Sequence, residues 1–243
     1  MRQEKIRKYN NLMAMDPKKI IVLPLMLLLC VGVYAGDGTR DDVENVSKWR
    51  FGADFQIKLA KGLKLELAPE LRFNDAFDCL NLNAGVSYRT FGVIYWGANY
   101  RLVCDREVAG VVDSGFITRT EYEWEYLHRY AFDVTYKDNF GRFTPSFRLR
   151  YNNYTDDDNS DQGFLRYRAK LEYNIHKCKL TPSLYAELFH GLDVGMLSKM
   201  RYSAELDYKV NKQSSFSVGY KLDYFLLEYK NAHIFTLGYK LKL

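Results

Sequence analysis

Residues 164–175 read FLRYRAKLEYNI, and this stretch restricts the fold more tightly than any other. Leu165, Tyr167, Ala169, Leu171, Tyr173 and Ile175 fall at odd positions, and Arg166, Arg168, Lys170, Glu172 and Asn174 at even ones. Strict period-two alternation means an extended strand with one apolar and one charged face. The same pattern recurs down to Leu243, so the chain is all-β, and the open question is which face points inward.

In a soluble sandwich the apolar face is the core. In an outer-membrane barrel it meets lipid, and the charges line a polar lumen. The pattern repeats about twelve times, with ten as the nearest alternative, in runs of roughly nine to twelve residues, the length a tilted strand needs to cross a bilayer. A closed soluble barrel of that size would be too wide to fill, since about eight strands is the limit for side-chain packing. A two-sheet sandwich would leave its solvent faces unusually dense in Arg and Glu. The pattern therefore predicts a transmembrane antiparallel up-and-down β-barrel. Aromatic residues make up 16% of the chain, with 20 Tyr, as aromatic girdles at the two membrane interfaces require. No run of about eighteen apolar residues occurs, which argues against a helical membrane protein.

The amino terminus has the grammar of a signal peptide over residues 1–35. Lys18 and Lys19 precede an apolar run over 20–33, and Val33-Tyr34-Ala35 fits cleavage before Gly36. Met15 would be a more ordinary start than Met1. A lipoprotein reading at Cys30 is opposed by Leu29, where a small residue is expected. Removing 1–35 takes six basic and two acidic residues from 35 and 30, leaving 29 and 28, a net of +1. The basic character belongs mostly to the leader, which removes the compositional support for nucleic-acid binding. Mature cysteines are Cys79, Cys104 and Cys178. That is an odd set with no metal-binding spacing and no full disulfide framework.

Residues 36–48 are polar and acidic and read as a flexible periplasmic lead-in to a barrel over 49–243. The first hairpin predicts Ile57 opposite Leu65 and Trp49 opposite Phe73, around a three-residue turn ending at Gly62. The second predicts Tyr88 opposite Ile94, with Cys79 toward the lumen and Cys104 toward lipid. Residues 104–115 read as a loop, and 116–128 and 130–136 as separate strands. An even strand count puts both termini on one side. With that side periplasmic, short turns there and long loops outside fit from Tyr130 onward, and the rule inverts over the first four strands.

The segments RYAFDVTYK, FRLRYNNY, FLRYRAKLEYNI, PSLYAELFHG and HIFTLGYKLKL resemble the outer-membrane barrels of domain-of-unknown-function family 2490, common in Bacteroidota. The hairpin WRFGADFQIKLAKGLKLEL fits the opening region of that family. The resemblance implies a Gram-negative outer membrane and a barrel, with lipopolysaccharide and the barrel-assembly machinery as partners. It carries no activity or cofactor. The chain departs from the pattern at its end, finishing on Leu243 with Tyr239 as the last aromatic, where such barrels often finish on an aromatic.

Catalytic and metal signals are sparse. His128, His176, His190 and His233 lie at strand ends or turns. Only His190, with Ser198 in the next loop, resembles the pairing of an outer-membrane lipid-modifying enzyme, and no compact spacing supports it. Asp157, Asn159 and Asp161 have EF-hand-like spacing, but Gly163 falls one position late and Arg168 stands where Glu is required. The informative constellation is a lumen ladder of Arg148, Arg150, Arg166, Arg168, Lys170, Glu172, Glu187, Arg201, Glu205 and Asp207. A midplane Arg or Lys on the lipid face costs roughly 2–4 kcal/mol, so inverting the strand 164–175 would cost on the order of 8 kcal/mol. Because the signs nearly balance, the ladder reads first as a salt-bridged plug in a structural or surface-binding barrel. The alternative is a small channel or uptake component for anionic or sugar solutes.

Overall fold

The computed structural model describes residues 44–74, 76–113, 116–154, 163–193, 195–227 and 230–243. The expected leader, Cys30, lead-in residues 36–43 and the acidic positions 157, 159 and 161 lie outside the described residues. Eleven strands are described: β1 (Glu44–Ala60), β2 (Leu63–Asn74), β3 (Ala76–Thr90), β4 (Ile94–Asp113), β5 (Phe116–Lys137), β6 (Phe143–Tyr154), β7 (Gly163–Tyr173), β8 (Leu180–Gly191), β9 (Met196–Lys209), β10 (Ser214–Phe225) and β11 (Lys230–Lys242). Each pairs with its neighbour in sequence, and β1 closes on β11, giving the expected all-β barrel. Five residues of the expected lead-in, 44–48, belong to β1.

The count is eleven rather than twelve because residues 116–128 and 130–136 form one strand. Alternation runs unbroken through Arg129. Trp124, Tyr126, Tyr130 and Phe132 stay exposed, while Arg129 and Ala131 are buried. The expected loop at 104–115 is also mostly strand. β4 pairs with β5 from Ile94↔Tyr136 to Asp113↔Phe116, with one register shift between Val111 and Val112. β3 stops pairing at Cys79↔Asp105, and β6 at Arg129↔Tyr154. Among the described residues the outer parts of β4 and β5 therefore pair only with each other, as a hairpin extending past the rim.

An odd number of alternating strands forces the closing pair to be parallel, and β1 and β11 are parallel in register, with Trp49↔Phe235 and Gly52↔Gly238. The barrel therefore begins at one rim, the Glu44 rim, and ends at the opposite one, the Leu243 rim, where Lys61-Gly62 turns the chain. This corrects the expectation that both ends lie on one side. Trp49 and Phe235 stack across the seam with ring centroids 4.9 Å apart.

The first hairpin has the expected Ile57↔Leu65 and Trp49↔Phe73 pairs. A bulge near Leu59 sets Ala60 opposite Leu63, which shortens the turn to Lys61-Gly62. Gly62 has φ +85°, a conformation glycine reaches without a Cβ clash. In the second hairpin Tyr88 faces Trp96 rather than Ile94. The difference is two residues, and an even shift keeps every side chain on its predicted face. Cys79 is accordingly buried, while Cys104 is partly exposed. Both are free thiols, as is Cys178.

Burial is inverted relative to a water-soluble domain. Glu187 is 2% exposed and Asp223 3%, whereas Phe132 is 61% and Leu184 64% exposed. The apolar face of each strand points out of the barrel, and the charged face points in.

Candidate functional site: the arginine-lined lumen

The lumen is built on β6 to β9, whose inward positions carry the densest charge. Register sets Arg148 opposite Arg168 and Arg150 opposite Arg166 on β6 and β7. Like charges directly opposite one another are destabilising, so these pairs need carboxylates nearby. β8 supplies one. Glu187 lies opposite Arg168 on one side and Arg201 on the other. Its Oε1 accepts from Arg148 Nη2 at 3.1 Å and its Oε2 from Arg166 Nη2 at 2.8 Å. Arg201 Nη1 stands 3.7 Å from Oε2. One buried carboxylate thus serves guanidinium groups from three strands.

Arg201 is also held by Asp223 on β10, a bidentate pair in which Nε donates to Oδ1 and Nη2 to Oδ2 at 2.6 Å. Lys199 approaches the same Asp223 Oδ2 at 3.1 Å. Arg150 donates twice to Asp133 Oδ2 on β5, at 3.1 Å from Nε and 2.6 Å from Nη2, and Asn99 Nδ2 donates to that oxygen at 2.9 Å. Nearer the Leu243 rim, Lys170 lies 3.3 Å from Glu172 and 3.6 Å from Glu205. Lys137 reaches Glu172 at 2.8 Å, and the Tyr185 hydroxyl donates to Glu205 at 2.9 Å. Asp207 lines the central cavity without an ion pair among the described residues.

The structure therefore places all ten residues of the predicted ladder inside the barrel. Reading them by strand parity missed their partners Asp133 and Asp223, although each stands at an inward position of an alternating strand. It also missed an arginine set on the far wall, made of Arg50, Arg72, Arg101 and Arg129. Arg129 in particular was hidden by the strand break expected there.

The lumen is not filled. A central cavity of about 430 Å³ is lined by residues from all eleven strands. Toward the Leu243 rim it adjoins one of about 410 Å³. Toward the Glu44 rim it adjoins one of about 360 Å³. Arg148, Arg150 and Arg168 line all three, and so form the waist where the cavities meet. The ion pairs join strands no more than two apart, so they run along the wall.

The other candidates are separate from this cluster. Ser198 Oγ donates to the Phe189 carbonyl at 3.4 Å, and His190 pairs in register with Leu197 on the outward face. Two outward histidines meet tyrosines instead: the Tyr100 and Tyr220 hydroxyls lie 2.7 Å from Nδ1 of His128 and His233. Among the described residues no group of three His, Cys, Asp or Glu side chains is placed to share a metal ion.

The model of the family described as "Protein of unknown function (DUF2490)" matches residues 48–227. The chain belongs to this family. Its charged lumen lies largely within the matched segment. No curated protein matches the sequence. Solved structures similar to this chain include the in-vitro folded OmpT, an outer membrane protein of Vibrio cholerae, at 14% identity and TM-score 0.37, covering 69% of this chain and 52% of that one. The outer-membrane expressed OmpT of Vibrio cholerae is likewise 14% identical, with TM-score 0.39, covering 68% of this chain and 52% of that one. The matched region thus spans about half the length of those barrels.

Proposed function

We propose that this DUF2490 chain spans the outer membrane of a Gram-negative bacterium and acts as a structural or binding barrel with an ion-paired waist. The observation that carries the membrane assignment is the inverted burial. Exposed Phe132, Leu184 and Val218 would be costly in water, whereas a bilayer solvates them. Closure of the sheet leaves no edge strand, as a lipid setting requires of the backbone. The waist supports the role. Arg148, Arg150 and Arg166 are each tied to a buried carboxylate, so widening the passage would separate desolvated charges. Lipopolysaccharide around the barrel and the assembly machinery during insertion are the partners this reading implies. It assigns no catalytic step to His190 or Ser198.

A second reading has one observation in its favour. Three adjoining cavities run past the waist, and rings of Arg and Lys select anions in pores, so the protein would be a small anion channel. Purified protein in planar bilayers separates the two. The ion-paired waist predicts little or no steady current. A steady anion-selective current in the unmodified protein would replace the binding barrel by the channel.

A further inference from the structure

The cavity nearest the Glu44 rim has a charge imbalance that the ion pairs do not remove. Its wall carries nine arginines and two lysines against Glu70 and Glu187. Asp133 and Asp223 lie just behind it, already engaged by Arg150 and by Arg201 with Lys199. Among the described residues Arg50, Arg101, Arg129 and Arg168 form no ion pair with a carboxylate. Arg101 donates only to the Asn83 amide oxygen. Arg129 is 8% exposed, donates through Nη1 to the Tyr154 hydroxyl at 3.1 Å, and leaves its buried Nε without a partner. The buried Nε atoms of Arg148 and Arg166 are also unpartnered.

Buried guanidinium groups without counter-charge are strongly unfavourable, and water in a confined cavity screens them poorly. The side chains are nevertheless held in place. Arg129 packs against the rings of Tyr154 and Phe164 at 5.5 and 5.8 Å, and Arg166 against Phe189 at 4.6 Å. Stacked arginines lining a cavity form a preorganised cluster of donors for a planar or tetrahedral oxyanion, and guanidinium binds such oxygens bidentately. We infer that this chamber binds a small multivalent oxyanion of the phosphate class, a phosphomonoester, pyrophosphate or sulfate-bearing solute. A chamber of about 360 Å³ suits a solute of that size. The inference rests on the barrel reading, and it holds whether or not the lumen conducts.

The test is thermal unfolding of the detergent-solubilised barrel at constant ionic strength, with sodium chloride, sulfate, phosphate or pyrophosphate added. Pyrophosphate should raise the midpoint at millimolar concentration, phosphate and sulfate less, and chloride not at all. Arg129→Gln should weaken the pyrophosphate effect at least tenfold, and Arg129→Lys should recover only part of it, because a point charge replaces the bidentate fork. Arg168→Gln offers a second site variant should Arg129→Gln not fold. Lys58→Gln, near the Leu243 rim, should respond like the unmodified protein. Doping the micelles with phosphatidic acid should not compete with pyrophosphate, and competition would overturn the assignment to a soluble ligand. Heat-modifiable gel mobility is scored first. A protein that is a soluble monomer without detergent takes the barrel reading and this inference down together. A heat-modifiable barrel that chloride stabilises as well as pyrophosphate, or in which Lys58→Gln loses as much as Arg129→Gln, overturns the site alone.

Discussion

Arg148 and Arg168 stand directly opposite one another across β6 and β7, at the level where the three cavities of the lumen meet. Two like charges at one register position are tolerated because Glu187, on β8, lies opposite Arg168 and accepts from Arg148. Replacing Glu187 with Ala leaves Arg148, Arg166 and Arg201 short of a carboxylate in a buried setting. Breaking a buried pair in this way typically costs about 3–5 kcal/mol. The variant should unfold at lower temperature and should open an anion-preferring leak in planar bilayers. If the unmodified barrel already conducts steadily and Glu187→Ala only shifts its selectivity, the waist is a selectivity filter and not a barrier.

Strand facing can be tested on β7 with two adjacent residues. Leu171 points out among the exposed apolar side chains, while Lys170 points in toward Glu172 and Glu205. Leu171→Arg places a charge in lipid, at a cost of roughly 2–4 kcal/mol near the midplane, and should block or weaken assembly. Lys170→Leu loses two ion pairs whose carboxylates keep other partners, Lys137 for Glu172 and Lys221 for Glu205, and should insert better than Leu171→Arg. Heat-modifiable mobility in outer-membrane fractions scores both. Equal damage, or the reverse order, would invert the barrel.

Facing was legible in the sequence for strands it marks clearly, such as 164–175, because alternation is a local property, and an even register error does not disturb it. That is why the Tyr88 pairing could be misplaced by two residues while Cys79 and Cys104 still fell on the expected faces. The strand count was less legible. Nothing local distinguishes one strand of 22 residues from two shorter ones when a polar pair such as His128-Arg129 falls in the middle. What settles the matter is hydrogen bonding to β4, which is a long-range property. The ladder of Arg148 to Asp207 could be listed from parity. Its imbalance could not, because whole-chain charge averages the arginine-rich end of the lumen with the carboxylates near the Leu243 rim.

Gly97 offers a test of how tightly the Asp133–Arg150 pair is packed. A Cβ at this inward position of β4 would lie 2.8 Å from Asp133 Oδ1 and 2.9 Å from Oδ2. Asp133 has little freedom to retreat, since it already accepts from Arg150 and Asn99. Gly97→Ala should therefore destabilise the barrel by about 1–3 kcal/mol, in the range of overpacked interiors. The double variant Gly97→Ala with Asp133→Ser should recover part of the packing loss while exposing Arg150. If Gly97→Ala alone melts with the unmodified protein, the carboxylate does not occupy the position described.

The leader reading makes a prediction about processing. Cleavage after Ala35 should give a mature chain beginning at Gly36 that fractionates with outer membranes and needs detergent for extraction. Intact-mass measurement of the membrane-purified protein checks the cleavage, and retention of residues 1–35 would remove the signal-peptide reading.

The parallel closure of β1 on β11 can be tested with a disulfide. Phe51 and Leu237 are register partners on the outward face, two residues beyond the stacked Trp49 and Phe235. Neighbouring strands lie about 4.8 Å apart, within reach of a disulfide's geometry. Phe51→Cys with Leu237→Cys, in a background where Cys79, Cys104 and Cys178 are replaced by Ser, should cross-link on mild oxidation and run faster on a non-reducing denaturing gel. The cross-link joins positions near the two ends of the barrel sequence, so it should also raise the temperature at which heat-modifiable mobility is lost. A twelve-strand barrel would close through a different pair with antiparallel register, and the thiol introduced on β1 would then find no partner on β11. Absence of the fast band, with both single-cysteine variants folded and reactive toward a thiol reagent, would rule out the eleven-strand closure.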